Sequence, residues 1–102
     1  MARTTTYTEY LSQQTFEAEI TQSKLDKERY NVSVNGTKLG WLCKDRGGWT
    51  IHLLPRADAL SAPCQGSSST LRDGAWELMQ RSSFLWAAHE GTAQPLGNYY
   101  LG

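Results

Sequence analysis

The sequence predicts an α+β domain in which a three-stranded antiparallel meander packs against one main helix. Two turn signals, Asn35-Gly36 and the glycine-rich segment 45–48, separate three strand-like segments, and a helical apolar pattern follows Thr70. A short N-terminal helix or strand and an aromatic C-terminal tail complete the prediction. We expect a single domain over residues 1–102, divided into a meander (30–54), a loop (55–69), a main helix region (70–89) and a tail (90–102).

The N-terminal third supports two interpretations. Tyr7, Tyr10 and Leu11 have the spacing of a short helix. Phe16 to Ile20 alternates as a strand does, although Phe16 and Ile20 would also share one face of a helix. The pattern favours an initial helix followed by an extended segment.

One face of the meander is predicted to be the core, because side chains alternate across a strand. Both tryptophans of the segment, Trp41 and Trp49, fall on this apolar face, so we expect them to be buried rather than exposed as a platform for stacking bases. The residues of this parity are Tyr30, Val32, Val34, Leu39, Trp41, Cys43, Trp49, Ile51 and Leu53.

The opposite face of the meander is predicted to be polar and exposed. Leu42 and Leu54 interrupt it, and Gly40 on this face would let a partner's backbone approach or would mark a bulge. The polar residues of this parity are Asn31, Ser33, Lys38, Lys44, Thr50 and His52.

The main helix is predicted from its start signal and its apolar spacing. Thr70 precedes Asp73 by three residues, as in a capping box. The helix ends near Arg81 or continues to His89 before Gly91, and the pair Ser82-Ser83 favours a break.

Composition is ordinary for a globular chain, with 39% apolar and 20% charged residues. Lysine plus arginine number 10 and aspartate plus glutamate 10, so no net charge attracts the chain to nucleic acid or membranes. The N-terminus lacks the apolar segment of a secretory signal, and no run approaches the roughly 20 apolar residues of a membrane span. We therefore expect a cytoplasmic protein with two reduced thiols, Cys43 and Cys64, and no membrane partner.

Catalytic and metal-binding patterns are sparse. The two histidines, His52 and His89, and the two cysteines match no metal-ligand spacing. Strand parity places Cys43 inward and His52 outward, which separates the only neighbouring thiol and imidazole. The expectation is a protein that is not an enzyme and has no cofactor and no metal.

A sheet followed by a Thr-capped helix, with the segment Ser69-Thr70-Leu71-Arg72-Asp73-Gly74-Ala75-Trp76, resembles the β-β-β-α layout of three-stranded-sheet DNA-binding domains. The arm-binding domains of phage integrases are an example, and the resemblance covers residues 30–82. It implies that the polar face of the sheet would enter the major groove. This face carries fewer basic residues than such domains usually show.

Nucleic-acid binding is one functional hypothesis, because the middle of the chain is basic. Residues 29–56 contain five basic side chains and one acid, Asp45. The candidates for contacting phosphates are Lys38, Lys44, Arg46 and Arg56, and the candidates for reaching base edges are Asn31, Ser33, Thr50 and His52.

Protein binding is the competing hypothesis, and the zero net charge favours it. The C-terminal half has more aromatic residues than one small core absorbs, and such residues are typical interface anchors. The candidates are Leu42, Trp76, Arg81, Phe84, Trp86, Tyr99 and Tyr100. The sequence thus favours a regulator or inhibitor of the phage or mobile-element accessory type, which binds another protein or a second copy of itself. A nucleic-acid-binding module is the alternative.

Overall fold

The computed structural model describes residues 2–55, 59 and 61–91. Six antiparallel strands form a half-barrel in which every strand pairs with its neighbours in sequence, in the order β1-β2-β3-β4-β5-β6. Two short helices follow. The elements are β1 (Ala2–Thr8), β2 (Thr15–Gln22), β3 (Arg29–Val34), β4 (Thr37–Asp45), β5 (Gly48–Leu53), β6 (Cys64–Ser68), α1 (Leu71–Arg81) and α2 (Leu85–Glu90).

The predicted fold class is therefore wrong, because two strands precede the expected meander and another follows it. The helix predicted near Tyr7 is instead strand β1, where Tyr7 lies opposite Phe16. Tyr10 and Leu11, which gave the helical spacing, lie in the turn between β1 and β2. The segment 64–68, predicted to be part of a loop, is the edge strand β6. Its residues are Cys, Gln, Gly, Ser and Ser, so it shows no apolar alternation that would predict a strand.

Both hairpin turns within the predicted meander are confirmed. Asn35 and Gly36 have φ angles of 51° and 81°, and Arg46 and Gly47 have φ angles of 49° and 82°. Two consecutive positive φ angles give the turn a twist that matches the twist of the flanking strands. These turns connect β3 to β4 and β4 to β5.

The helical region divides at Ser82, which is one of the two predicted outcomes. The Thr70 hydroxyl accepts a hydrogen bond from the Asp73 amide at 3.1 Å, which fixes the start of α1. After α1 ends at Arg81, the amide of Ser82 donates to the Leu78 carbonyl at 3.0 Å. The second helix, α2, ends at Gly91 in the left-handed conformation.

The core lies between the concave face of the half-barrel and helix α1, which contacts β1, β4, β5 and β6. The curvature of the sheet brings the first strand and the last strands to the same helix. The largest fully buried side chains are Phe16, Val32, Val34, Leu39, Leu42, Ile51, Leu78 and Met79.

A β-bulge in β4 changes which residues face the core. Val32 lies opposite Gly40, but the next residue, Ser33, lies opposite Lys38. Leu39 is the extra residue, without a direct partner on β3. Leu39 and Gly40 therefore both turn toward the concave side, and the alternation continues from Gly40 with the opposite parity.

This bulge overturns the predicted faces of β4. Trp41 and Cys43, predicted to be core, lie on the outer face, whereas Leu42, predicted to be exposed, is fully buried. Gly40 also faces inward, where an added Cβ would collide with the His52 carbonyl of β5. Leu54, expected on the polar face, is buried just beyond β5.

In β5 the predicted parity is confirmed. Ile51 is buried, and Trp49 and Leu53 are partly buried against the core. The two tryptophans of the central hairpin thus lie on opposite faces of the sheet. Trp49 packs against the core, and Trp41 lies on the outer face of the sheet.

Candidate binding surfaces

A row of side chains crosses the outer face of the sheet through three neighbouring strands. Asn31 of β3, Trp41 of β4 and His52 of β5 lie directly opposite one another in register. Directly opposite residues on one face are close enough for their side chains to interact. The bulge in β4 therefore creates this row, since without it Trp41 would point into the core.

Trp41 is sandwiched within the row. The His52 ring lies nearly parallel to the indole, with centroids 5.8 Å apart and an interplanar angle of 14°. The Arg29 guanidinium carbon lies 3.6 Å from the indole centroid, and the Lys38 amine lies 5.2 Å from it. Arg29 belongs to β3 and His52 to β5, so the two side chains reach Trp41 from the strands on either side of β4. We call Arg29, Lys38, Trp41 and His52 the cationic stack.

Hydrogen bonds fix the orientation of the His52 ring. Its Nδ1 lies 3.2 Å from the Ala62 carbonyl oxygen, and its Nε2 lies 3.0 Å from the Thr50 hydroxyl. A carbonyl oxygen only accepts, so Nδ1 carries a proton and donates it. The imidazole therefore connects the outer face of β5 to the segment that leads into β6.

Among the described residues, no carboxylate forms an ion pair with the cationic stack. In the part of the chain that the structure describes, the only ion pair joins Arg81 to Glu77, at 2.9 Å. Burial, together with the charge of Arg29, lowers the pKa of Lys38 below its ordinary value. Two cations thus lie beside one indole, and no carboxylate of the described residues is ion-paired with either of them.

An open concavity of about 480 Å³ lies beside the stack. Arg29, Asn31 and Lys38 line it from the sheet, and Lys24 and Asp26 line it from the loop between β2 and β3. Arg29 Nε and Asn31 Oδ1 are shielded from solvent and have no hydrogen-bond partner. Such groups are costly unless something satisfies them.

The neighbouring Cys43 also lies on this face. Burial raises the pKa of its thiol, and the charge of Asp26 raises it further. The thiol is therefore protonated at neutral pH, and nothing here indicates a nucleophile.

Several of the predicted nucleic-acid-binding residues do lie together. Asn31, Lys38, Thr50 and His52 belong to the outer face, and Ser33 lies opposite Lys38 on the same face. Their parity was the signal that found them.

Other predicted members of that set lie elsewhere. Lys44 lies opposite Trp49, on the parity of the concave face, and Arg46 lies in the β4–β5 turn. Arg56 lies outside the described residues. Arg29 and Trp41 are not among the predicted binding residues. Strand alternation places Trp41 in the core, and the role of Arg29 depends on its contact with Trp41.

A second surface begins with a row of aromatic rings at the edge of the core. Trp76 of α1 packs edge-on against Tyr7, with centroids 5.3 Å apart, and Tyr7 lies 6.3 Å from Phe16. Trp86 of α2 packs edge-on against Phe16 at 5.0 Å. The two tryptophans remain 44% and 41% exposed.

The indole N–H groups of these tryptophans are already hydrogen-bonded. Trp76 Nε1 donates to the Thr6 carbonyl of the edge strand β1 at 2.6 Å, and Trp86 Nε1 donates to a Glu9 carboxylate oxygen at 3.3 Å. The exposed part of each side chain is therefore apolar ring rather than an unpaired donor.

The β1–β2 turn adds two more apolar side chains at this end of the molecule. Tyr10 and Leu11 are 85% and 88% exposed. They lie in the turn closed by the hydrogen bond from the Glu9 amide to the Gln14 carbonyl, at 2.9 Å. We call Tyr10, Leu11, Trp76 and Trp86 the aromatic surface.

The predicted protein-interface residues divide accordingly. Trp76 and Trp86 are exposed, but Leu42 is fully buried and belongs to the core. Phe84 is half-buried against the core, and Arg81 is engaged by Glu77 and by the Gln65 carbonyl. Tyr99 and Tyr100 lie outside the described residues. Tyr10 and Leu11 were missed because their spacing was interpreted as helical.

Within the described ranges, no three His, Cys, Asp or Glu side chains are grouped so that they could hold a metal ion. Neither described helix has the length and apolar character needed to cross a membrane. No family model, curated protein or solved structure matches the chain.

Proposed function

We propose that the protein is a non-catalytic binding protein that docks on another protein through the aromatic surface and acts as a regulator or inhibitor. The observation that carries this proposal is the pair of half-exposed tryptophans whose N–H groups are satisfied within the chain. A partner that covers them buries apolar ring area without leaving an indole donor unpaired. Tryptophan is also among the residues that contribute most to binding at interfaces.

The tryptophans are held in place before any partner arrives. Trp76 contacts Tyr7 and Trp86 contacts Phe16, each at an interplanar angle close to perpendicular. Side chains that are already ordered lose little conformational entropy on binding. This preorganisation favours affinity at a small interface.

A groove of about 340 Å³ continues this surface along the edge of β1. It starts at Thr6, whose carbonyl accepts the bond from Trp76, and Arg3 and Arg72 line it. None of the described residues that line it is acidic. A partner that presents apolar side chains to the tryptophans and an acidic side chain to these arginines would complement both parts.

Affinity capture with the intact chain as bait tests the proposal. Trp76→Ala and Trp86→Ala should each weaken recovery of the partner at least about tenfold, the effect of losing about 1.4 kcal/mol of binding free energy. Leu25→Ser is the matched control, because Leu25 is fully exposed and lies outside the aromatic surface.

Tyr10→Ser and Leu11→Ser provide a test that does not disturb the core, because both side chains are almost fully exposed. They should also weaken recovery. Light scattering of the same variants shows whether the partner is a second copy, in which case a wild-type dimer dissociates in the variants. Unchanged recovery and unchanged mass across all four variants would contradict the proposal.

A further inference from the structure

We propose that the outer face of the sheet also carries a phosphate-binding site, formed by Arg29 and Lys38 at the concavity beside Trp41, which takes the phosphates of a nucleic-acid strand. This site is separate from the aromatic surface. It uses the face of the sheet that helix α1 does not cover, and it has a ligand of different chemistry.

The first argument is the geometry of Arg29. Its guanidinium lies 3.6 Å from the centroid of the Trp41 ring, so the ring fixes the position of the group. Stacking uses the flat face of a guanidinium and leaves the N–H donors along its edge available. Arg29 lines the concavity; its Nε is shielded from solvent, so a ligand in the concavity would be met by the terminal N–H groups of the guanidinium. A phosphate oxygen is the strongest acceptor for such a preorganised edge.

The second argument is charge. Lys38 lies against the same ring and lines the same concavity, and Lys24 adds a third cation to the lining. Asp26 is the acid in the lining, and its carboxylate oxygen accepts a hydrogen bond from the Glu28 amide at 3.0 Å. Burial and the neighbouring charge of Arg29 lower the pKa of Lys38, so two cations that repel each other lie side by side at the concavity. A bound phosphodiester, which carries one negative charge, would relieve that repulsion.

The third argument favours a nucleotide over a bare phosphate. Asn31 Oδ1 is a buried acceptor that lacks a donor, in the lining of the same concavity. The exocyclic amino group of a base is a donor of the kind it lacks. Arg29 and His52 already pack against the Trp41 ring, so the base would be recognised by its edge rather than by stacking on the indole.

Fluorescence anisotropy with a labelled single-stranded oligonucleotide, at about 50 mM salt, tests the site. Arg29→Gln and Lys38→Gln should each weaken binding about tenfold, the loss expected for one charge-assisted contact. Lys44→Gln and Arg46→Gln are the matched controls, because each removes one positive charge from the β4–β5 hairpin away from the concavity. They should bind like the wild type.

Salt dependence separates phosphate contacts from a general loss of affinity. Each lost phosphate contact should reduce the slope of log K against log salt by about 0.7 for a single strand. Lys38→Gln should melt no lower than the wild type, so weaker binding by this variant reports the site and not unfolding. Trp86→Ala should leave oligonucleotide binding unchanged, which distinguishes this site from the aromatic surface.

Parallel titrations with a duplex, a mononucleotide and inorganic pyrophosphate identify the source of the phosphate. A mononucleotide that binds as tightly as the strand, and loses affinity in Arg29→Gln, supports the phosphate site and assigns it to free nucleotides. The proposal is overturned if the wild type binds none of these probes. It is equally overturned if the Lys44 and Arg46 controls lose as much affinity as the Arg29 and Lys38 variants.

Discussion

On the concave face of the sheet, β4 places Leu39 and Leu42 fully buried beneath helix α1. On the outer face, the same strand places Trp41 beside a guanidinium and an imidazole, and neither described helix packs on it. The concave face is stabilised by removing apolar area from water, and the outer face by contacts among polar and aromatic side chains. The difference shows that a large aromatic residue within a largely apolar strand, such as Trp41 in β4, need not belong to the core. One extra residue in the strand decides which face receives it.

The largest expected effect tests this assignment of faces directly. Leu42→Ala should lower the free energy of unfolding by about 3 kcal/mol, because it leaves a cavity beneath α1. Trp41→Ala should cost only about 1 kcal/mol, because the indole is only partly buried and loses mainly its contacts with Arg29 and His52. Urea denaturation at constant m-value measures both. The reverse order of costs would mean that Trp41 occupies the core.

The bulge itself can be tested at Gly40. Gly40→Ala should lower the free energy of unfolding by about 2 kcal/mol, because the new methyl group meets the His52 carbonyl and lies 3.1 Å from Leu78 Cδ1. Gly36→Ala is the comparison, since Gly36 has open space around it and its cost of about 1 kcal/mol comes from its positive φ angle alone. A Gly40→Ala variant as stable as the wild type would exclude the inward position of Gly40.

Thiol reactivity tests how closely the outer face is packed. At neutral pH, Cys64 should react with iodoacetamide at least about tenfold faster than Cys43, a difference of about 1.4 kcal/mol in activation free energy. Cys64 is exposed, whereas burial and the charge of Asp26 raise the pKa of the Cys43 thiol. Mass spectrometry of the labelled peptides gives both rates. Equal rates would show that neighbouring side chains do not shield Cys43.

The smallest expected effect concerns Lys38 and pH. Because its pKa is lowered in the folded state, the unfolded chain binds more protons in the alkaline range up to the ordinary pKa of 10.5. The contribution of Lys38 to stability therefore rises as pH increases through that range. Lys38→Gln should remove this rise, with a change within about 0.5 kcal/mol because the side chain is partly exposed. Parallel stability curves for the two proteins from neutral pH upward would refute this charge penalty.

Local signals in the sequence predict the central part of the fold well. Asn35-Gly36 and Gly47 supply the backbone conformations of their turns, and Thr70 supplies a helix cap, so each feature depends on a few adjacent residues. The strand β6 was missed because an edge strand of Cys, Gln, Gly and Ser carries no apolar alternation. The strand β1 is not predicted, because Tyr7 in the strand and Tyr10 in the turn are three residues apart, a spacing that favours a helix.

The candidate surfaces were predictable only in part for a related reason. Asn31 and His52 were assigned to the outer face from alternation, which holds as long as the strand is regular. Alternation cannot locate a bulge, because Leu39 and Gly40 are compatible with either parity. Trp41 therefore moved from the predicted core to the surface, and Arg29, its partner across the sheet, had no sequence signal of its own.

The order of strands in the sheet has a consequence for how the molecule folds. Every sheet pairing joins neighbouring strands, so all six strands can assemble through successive hairpins with low contact order. The contacts of Trp76 with Thr6 and of Trp86 with Glu9 instead span 70 and 77 residues of chain. We expect them to form late, as the two helices pack against β1 and the β1–β2 turn. A partner that binds both indoles would then keep the helices packed against the sheet, slow unfolding and so lengthen the lifetime of the native state.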